Sequence, residues 1–383
     1  MFEFKFLKRF AARLTDEIKL SPALGTSLTN WLKLLFKNGF FSIRYIARVV
    51  FISLLSILGV EFRVYERFRL KKILDNVSVS KPPIFIIGHW RSGTTHLHNI
   101  LIQDRKFGFI SMLQATFPRS FITTNIFKRF LDLFLPETRP MDNMRLGTLK
   151  PQEDELAMSN LSLYSFYNAF YFPRKMIEHF YRYVMFKGIK DGVLDKWRET
   201  YRELLKKATY NMEGRRLILK NPSHTARIPV LLDMFPDAKF IFIARNPYVI
   251  YPSMVNFYET AIKYFILQTI SDEEIDKNLR LIYKMMMESY FENKSLIPEN
   301  NLVEIRFEEL EEHPLEVVKH IYEKLQIDGY EQNEELFKSY INSRKDYQKN
   351  KYSLDESTVH KIHNSWAPLI EKLDYKVPSD LIE

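Results

Sequence analysis

The sequence has 383 residues, enough for one large α/β domain with insertions or for two domains, and its 46% apolar content, with 15% aromatic residues, supplies an ample core. Its 56 Lys and Arg against 47 Asp and Glu leave a net charge of +9, which suits an anionic ligand, an anionic membrane surface or nucleic acid. The absence of cysteine excludes disulfides, Cys-ligated zinc and thiol catalysis, and fits a reducing, cytoplasmic setting.

The opening residues, MFEFKFLKRF, include Glu3 and lack a small-residue cleavage site, which speaks against a signal peptide. Residues 1–80 read as a mostly helical N-terminal segment. Its longest apolar tract, Val49 to Val60, is twelve residues long, short of the ~20 that a membrane span needs. Together with WLKLLFK at 31–37, the tract forms either core packing and an acceptor-channel wall, or a helix pair that seeks a membrane surface.

From residue 81 to 383 short apolar runs alternate with helical patterns. Strands are expected at Ile84–Ile87, Leu217–Leu219, Phe240–Ala244 and Leu302–Arg306, with helices following each near 94–103, 224–234, 248–258 and 315–325. That alternation predicts a three-layer α/β fold, a P-loop-like parallel sheet flanked by helices. The interval 104–216 shows no strand and reads as a helical insertion over the sheet's C-terminal edge, where open α/β sheets bind ligands. Residues 259–300 read as helical, with the Met run of IYKMMMESY as core filler.

Two stretches carry the chemistry. IIGHWRSGTT, 86–95, has the spacing G-x-x-x-x-G-T-T between a strand and a helix. Backbone N–H groups and a helix N-terminus converge there, with Gly93 allowing close approach and Ser92, Thr94 and Thr95 offering hydroxyls. A triphosphate loop requires lysine where this chain has Thr94, and the later strands end in Lys220 and Arg245 rather than in a magnesium-binding acid. A basic pocket without that acid argues against a P-loop kinase and predicts no metal. In the second stretch, Arg245 ends a strand and Ser253 lies eight residues on, a spacing at which both can grip one phosphate.

These paired motifs resemble the two nucleotide-binding signatures of the PAPS-dependent sulfotransferases, and the chain is similar to that family over roughly 82–325. In the family the first motif cradles the 5′-phosphosulfate and the second reads the 3′-phosphate. LILKNPSHTARIPVLLDMFPDAKFIFIARNP, 217–247, resembles the family's second strand–helix–strand unit, and IRFEELEEHP its C-terminal strand. Arg91, in place of the lysine of the animal cytosolic branch, is typical of bacterial-type members.

The resemblance implies PAPS as co-substrate, Arg91 and Lys220 as cations for the leaving phosphate, and a general base. Several branches of the family use a glutamate base from the segment after the first loop, and bacterial members often show a run like PQEDELAM, 151–158, where Glu153 and Glu155 cannot share one helix face. His224 is the rival base, four residues after Lys220 rather than the two of the cytosolic pattern. His96 and His98 read as packing residues. LYSFYNAFYF, 163–172, with Phe117 and Phe121, supplies both core and an aromatic wall. The wall favours a small apolar hydroxyl acceptor such as a sterol, phenol or lipid, with a sugar as the alternative. A non-catalytic nucleotide binder remains a reading of another class. No nucleic-acid signature is present, so partners reduce to the acceptor and, through the N-terminal helices, peripheral membrane contact. SRKDYQKNKY, 343–352, reads as a solvated loop or as a flap bringing Lys349 or Lys351 to a phosphate.

Overall fold

The computed structural model describes residues 22–39, 41–125, 128–132, 137–139, 141–142, 144–262, 265–345 and 350–378. Five strands form its centre: β1 (Ile84–Ile87), β2 (Phe107–Gly108), β3 (Arg216–Lys220), β4 (Lys239–Ala244) and β5 (Leu302–Arg306). All neighbours are parallel, in the order β2-β3-β1-β4-β5, with Ile84 opposite both Ile218 and Lys239, and Phe240 opposite Leu302. Every residue of β1 is fully buried, because a central parallel strand is covered on both faces; that is why IFII shows no polar alternation.

Side chains alternate across the sheet. Phe85, Ile87, Leu219, Phe240 and Phe242 enter one hydrophobic cluster, while Ile84, Ile86, Ile218, Ile241 and Ile243 enter another. The longer helices that matter here are α1 (Leu28–Asn38), α2 (Ile46–Leu58), α3 (Val60–Asp75), α4 (Thr94–Leu101), α5 (Asp154–Leu161), α6 (Val193–Asn211), α7 (Pro247–Thr260), α8 (Asp272–Asn293), α9 (Pro314–Lys324), α10 (Tyr330–Asn342) and α11 (Glu356–Leu373). The first cluster gathers α5, α6, α8 and α11; the second gathers α4, α9 and α10. The result is the three-layer arrangement that the alternating pattern predicts. Met286 and Met287 are buried in the first cluster, as core filler.

One element of the sheet departs from expectation. The interval 104–216 contributes β2, which pairs Phe107 with Arg216 and Gly108 with Leu217. A two-residue strand carries no periodicity to read, so its partner rather than its own sequence defines it.

The first 21 residues of the expected N-terminal segment lie outside the described residues. Helices α1 to α3 pack on the insertion and on the loop after α7. Trp31, Val49 and Ile52 share a third cluster with Tyr171, Phe172 and Leu267. Arg48 NH1 donates to the Ile266 carbonyl at 2.7 Å, and the Ser42 amide donates to that of Leu267 at 2.8 Å. Lys207 of α6 closes a buried ion pair with Glu66 of α3.

Between β1 and α4 the turn needs its glycines. Gly93 has φ +93°, and a Cβ there would meet Phe307 Cδ2 at 2.1 Å. Gly93→Ala is therefore expected to lower stability by about 1–3 kcal/mol, read as a lower midpoint in guanidinium unfolding. An unchanged midpoint would show that the turn relaxes freely and that the Phe307 contact does not fix it.

Candidate active site

At the carboxyl ends of β1, β3, β4 and β5 the chain leaves a cavity of about 450 Å³. Parallel strands deliver their following residues to the same edge of the sheet. Arg91, Arg245 and Phe307 therefore meet at the cavity wall, joined by Glu153 from the insertion.

The turn after β1 is closed by its own polar groups. The His89 carbonyl accepts from the Ser92 amide at 3.2 Å and from Ser92 Oγ at 2.8 Å. Thr225 Oγ1 accepts from the Gly88 amide at 2.8 Å and donates to the Gly88 carbonyl at 2.9 Å. Ser92 is accordingly 1% exposed, and its hydroxyl donates inside the turn rather than standing on the cavity lining. Gly93, Thr94 and Thr95 do line the cavity. Gly93 is the N-cap of α4, so the first N–H groups of that helix have no partner within it.

Arg91 adopts φ +70°, an unusual backbone for a non-glycine residue. Its Nε donates to Ser253 Oγ at 2.9 Å, and its NH1 donates to Asp142 Oδ2 at 2.8 Å. Arg245 NH1 donates to the Arg91 carbonyl at 2.8 Å, and its guanidinium lies 4.3 Å from the centre of the Phe307 ring. The two motifs, far apart in sequence, are thus bonded to each other. Burial, reinforced by the Arg91 charge, lowers the pKa of Arg245. An arginine stays protonated regardless, so the corner carries a positive potential that favours an anion.

Sequence reasoning missed Asp142 and Arg139. Arg139 Nε donates to Asp142 Oδ1 at 2.9 Å, so Asp142 bridges two arginines that both line the cavity. Burial pulls the Asp142 pKa upward, but Arg139 and Arg91 overcome it and hold the carboxyl at about 2. The local signal was the close alternation of opposite charges, Glu137, Arg139 and Asp142, within one short stretch of the insertion.

The three consecutive acids separate cleanly. Glu153 precedes α5 as its N-cap; Lys220 Nζ bonds its Oε1 and the Tyr167 hydroxyl bonds its Oε2. Asp154 Oδ2 accepts from Tyr201 and lies 2.8 Å from His224 Nε2. Glu155 takes both arms of Arg227, with NH2 at 3.1 Å from Oε1, and accepts from Asn221 Nδ2 at 3.0 Å and Ser165 Oγ at 2.7 Å. Burial raises the pKa of Asp154 and Glu155, and the His224 and Arg227 partners more than reverse it, leaving both below the ordinary carboxylate value. Burial likewise lowers that of Lys220, against the restoring charge of Glu153.

Of the candidate bases, Glu153 lines the cavity. Glu155 and His224, each 0% exposed, do not, and their polar atoms are engaged in the protein interior. His98 is buried with its pKa lowered to about 3 by desolvation, as befits a packing residue, whereas His96 reaches the cavity wall.

The aromatic stretch divides its labour. Tyr167 and Phe170 line the cavity beside Trp90, Phe257 and Phe265. Phe166 instead packs 5.2 Å from Trp90 in the core, and Tyr171 and Phe172 hold the N-terminal helices. Phe117 and Phe121 fall outside the cavity wall; Phe121 is buried under the Lys207 ammonium, 4.5 Å away. In the C-terminal segment Lys349 lies outside the described residues, and Lys351 is exposed and off the lining. Arg344, Lys345, Asn350 and Tyr352 reach the wall instead, and the Tyr352 hydroxyl donates to Ser253 Oγ at 3.3 Å.

A family model described as the sulfotransferase family matches residues 82–332. The omega-hydroxy-beta-dihydromenaquinone-9 sulfotransferase Stf3 of Mycobacterium bovis and of Mycobacterium tuberculosis is 28% identical to this chain over 361 residues, covering 92% of the chain and 90% of the relative. Among solved structures the fold matches sulfotransferase STF9 from Mycobacterium avium, with a TM-score of 0.68 at 15% identity over 92% of this chain and 98% of that one. It also matches sulfotransferase STF1 from Mycobacterium tuberculosis, with a TM-score of 0.61 at 16% identity over 94% and 98%. With a strand-to-helix anion turn bonded to an arginine–serine pair, and a model match across the sheet that carries both, the chain belongs to the sulfotransferase family.

Proposed function

We propose that this enzyme transfers the sulfuryl group of PAPS to a hydroxyl on an apolar, lipid-like acceptor. The observation that carries the reading is Glu153: a carboxylate on the cavity wall, held by Lys220 and Tyr167 at the boundary between arginine-rich and aromatic lining.

The fit to the nucleotide rests on the turn and its neighbours. At Gly93 a Cβ would strike Phe307, so only glycine keeps the backbone open there. Arg91 and the first-turn amides of α4 suit the 5′ end, and Arg245 with Ser253 suits the 3′-phosphate. PAPS supplies the activated sulfuryl group. The protein's part is to place it, to exclude water and to move a proton. Asp142 ties Arg91 and Arg139 in place; Tyr352 and Arg344 contribute to the wall on the nucleotide side.

Glu153 acts as general base, accepting the proton from the acceptor hydroxyl as its oxygen bonds to sulfur and the S–O bond to the 5′-phosphate breaks, releasing adenosine 3′,5′-bisphosphate. Lys220 is a positioning residue: it fixes one carboxylate oxygen. Tyr167 fixes the other oxygen. Glu155 and His224 support this corner from behind, by anchoring α5 to the segment after β3. The apolar end of the cavity, formed by Trp90, Leu156, Phe170, Phe257 and Phe265, offers hydrocarbon contact to the rest of the acceptor. A relative that acts on a hydroxylated menaquinone supports a lipid over a sugar.

Two measurements test this. Glu153→Gln is expected to lower kcat about 10²–10⁴-fold while leaving the thermal shift with adenosine 3′,5′-bisphosphate intact. Glu155→Gln should instead appear as lost stability of about 3–5 kcal/mol, since Arg227 is left buried and unpaired. Near-normal turnover by Glu153→Gln would remove Glu153 as the base.

For the nucleotide, ligand at ~100 times its Kd should stabilise the wild type by about 2.7 kcal/mol. Arg245→Ala should forfeit most of that gain. A shift with ATP and magnesium but none with the bisphosphate would overturn the donor assignment.

A further inference from the structure

The N-terminal helices carry a surface that the transfer chemistry leaves unused. Ile43, Ile46, Val50, Leu54 and Ile57 recur every three or four residues, which puts them on one stripe of α2 and the turn before it. They are 82%, 49%, 50%, 54% and 51% exposed. The opposite side of α2 buries Val49 and Ile52 against the protein. A helix apolar on all sides belongs in a core or against lipid, yet α2 has only one side covered. The stripe continues on α3, where Val60, Val64 and Phe68 recur every four residues and Phe68 is 78% exposed. Phe36 of the adjoining α1 is 83% exposed. Exposed apolar surface on this scale marks a docking site.

Charge identifies the occupant. Lys33, Lys37 and Arg44 are exposed beside Phe36 and Ile43, and Arg67, Arg69, Lys71 and Lys72 are exposed around Phe68. Against these the three helices expose only Glu61 and Asp75, since Glu66 is buried in its pair with Lys207. Long basic side chains lay their stems on apolar surface and carry their charge to its rim. A second copy of the chain would bring two such cationic rims together, whereas an anionic bilayer meets both features at once. Among the described residues no single helix is long and apolar enough to cross a membrane, and α2 and α3 bend by 41° at Gly59. At 1.5 Å per residue, α2 reaches about 20 Å, less than the ~30 Å hydrocarbon layer.

This surface is joined to the cavity. Phe265 packs on the N-terminal cluster and also lines the cavity's apolar end. Arg48 and Ser42 bond the carbonyls of the next two residues, Ile266 and Leu267. We infer that residues 28–39 and 41–75 form a foot that lies in the plane of an anionic lipid bilayer, with its apolar stripe at the acyl boundary and its basic side chains at the headgroup phosphates. The foot holds the apolar end of the catalytic cavity next to that surface.

The inference is tested with the full chain by co-sedimentation with vesicles, a readout independent of any turnover or of the acceptor proposed above. Vesicles of phosphatidylcholine with phosphatidylglycerol should carry the wild type down, and vesicles of phosphatidylcholine alone should carry at least about tenfold less. Leu54→Asp with Phe68→Asp should weaken binding to the anionic vesicles at least about tenfold, with the thermal midpoint unchanged because both side chains are already exposed. Lys71→Glu with Lys72→Glu, which leaves the apolar stripe intact, should abolish the preference for anionic lipid. Failure of the wild type to bind either vesicle overturns the foot. So does a dimer in analytical ultracentrifugation that Leu54→Asp with Phe68→Asp dissociates, since the stripe then serves a second copy.

Discussion

The site depends on three acids in a row, each matched to a cation or histidine from the short segment 220–227, which ends β3 and follows it. Glu153 meets Lys220, Asp154 meets His224 and Glu155 meets Arg227. Glu155, His224 and Arg227 are fully buried, Asp154 and Lys220 are 1% and 2% exposed, and Glu153 is 9% exposed. Removing one member would strand its partner in the interior, which costs far more than the pair itself contributes. The arrangement therefore specifies register more than stability. A shift of one residue between the start of α5 and the segment 220–227 would set each acid against the wrong partner. Because β3 lies beside β1, this lock also fixes where Glu153 stands relative to the anion turn.

That register explains why only one of the three consecutive acids faces the cavity. Successive residues at a helix start point about 100° apart, so three neighbouring carboxylates cannot address one ligand. Asp154 and Glu155 turn inward and are consumed by partners, leaving Glu153 at the N-cap, where the backbone is not yet helical. The same logic operates across the cavity. Arg91 and Arg139 share Asp142, while Arg245 has its backbone contact to the Arg91 carbonyl and a ring beneath it. Positive charge is thus concentrated at the turn after β1 and the end of β4, and Glu153 with Tyr167 and Phe170 lies across the cavity from it.

What the sequence disclosed follows the range of the interactions. Strands β1, β3 and β4 are legible because continuous burial writes itself into consecutive residues, β5 because its buried and open positions alternate, and the turn after β1 because its glycines and hydroxyls are neighbours. Strand β2 was not, since two residues have no period. The pairing of 153–155 with 220–227 spans 67 to 72 residues, and no local pattern encodes a partner at that distance. Both halves were visible as charged runs, so the base narrowed to three residues and stopped there. Ser92 shows the converse: its type suited a phosphate contact, but a turn tight enough to bind an anion needs a donor to close itself.

The ten residues 163–172 tie these parts into one mechanical unit. Tyr167 holds the Glu153 carboxylate, and Phe170, three residues on, contacts its ring at 4.8 Å and lines the cavity. Phe166 stacks into the sheet's core beside Trp90, which lies within the anion turn itself. Tyr171 meets Trp31 of α1 edge-on at 6.0 Å, and its carbonyl accepts from the Leu267 amide at 2.8 Å. The N-terminal helices thus touch the run that carries Phe170 and Tyr167 through Tyr171, and they also bond α5 directly, where Thr26 and Asn30 donate to the Asn160 and Ser159 carbonyls. An aromatic run whose composition suggested a simple pocket wall is instead the strut connecting the outer apolar helices, the cavity and the turn, because rings of this size fill several layers at once and leave no slack between them.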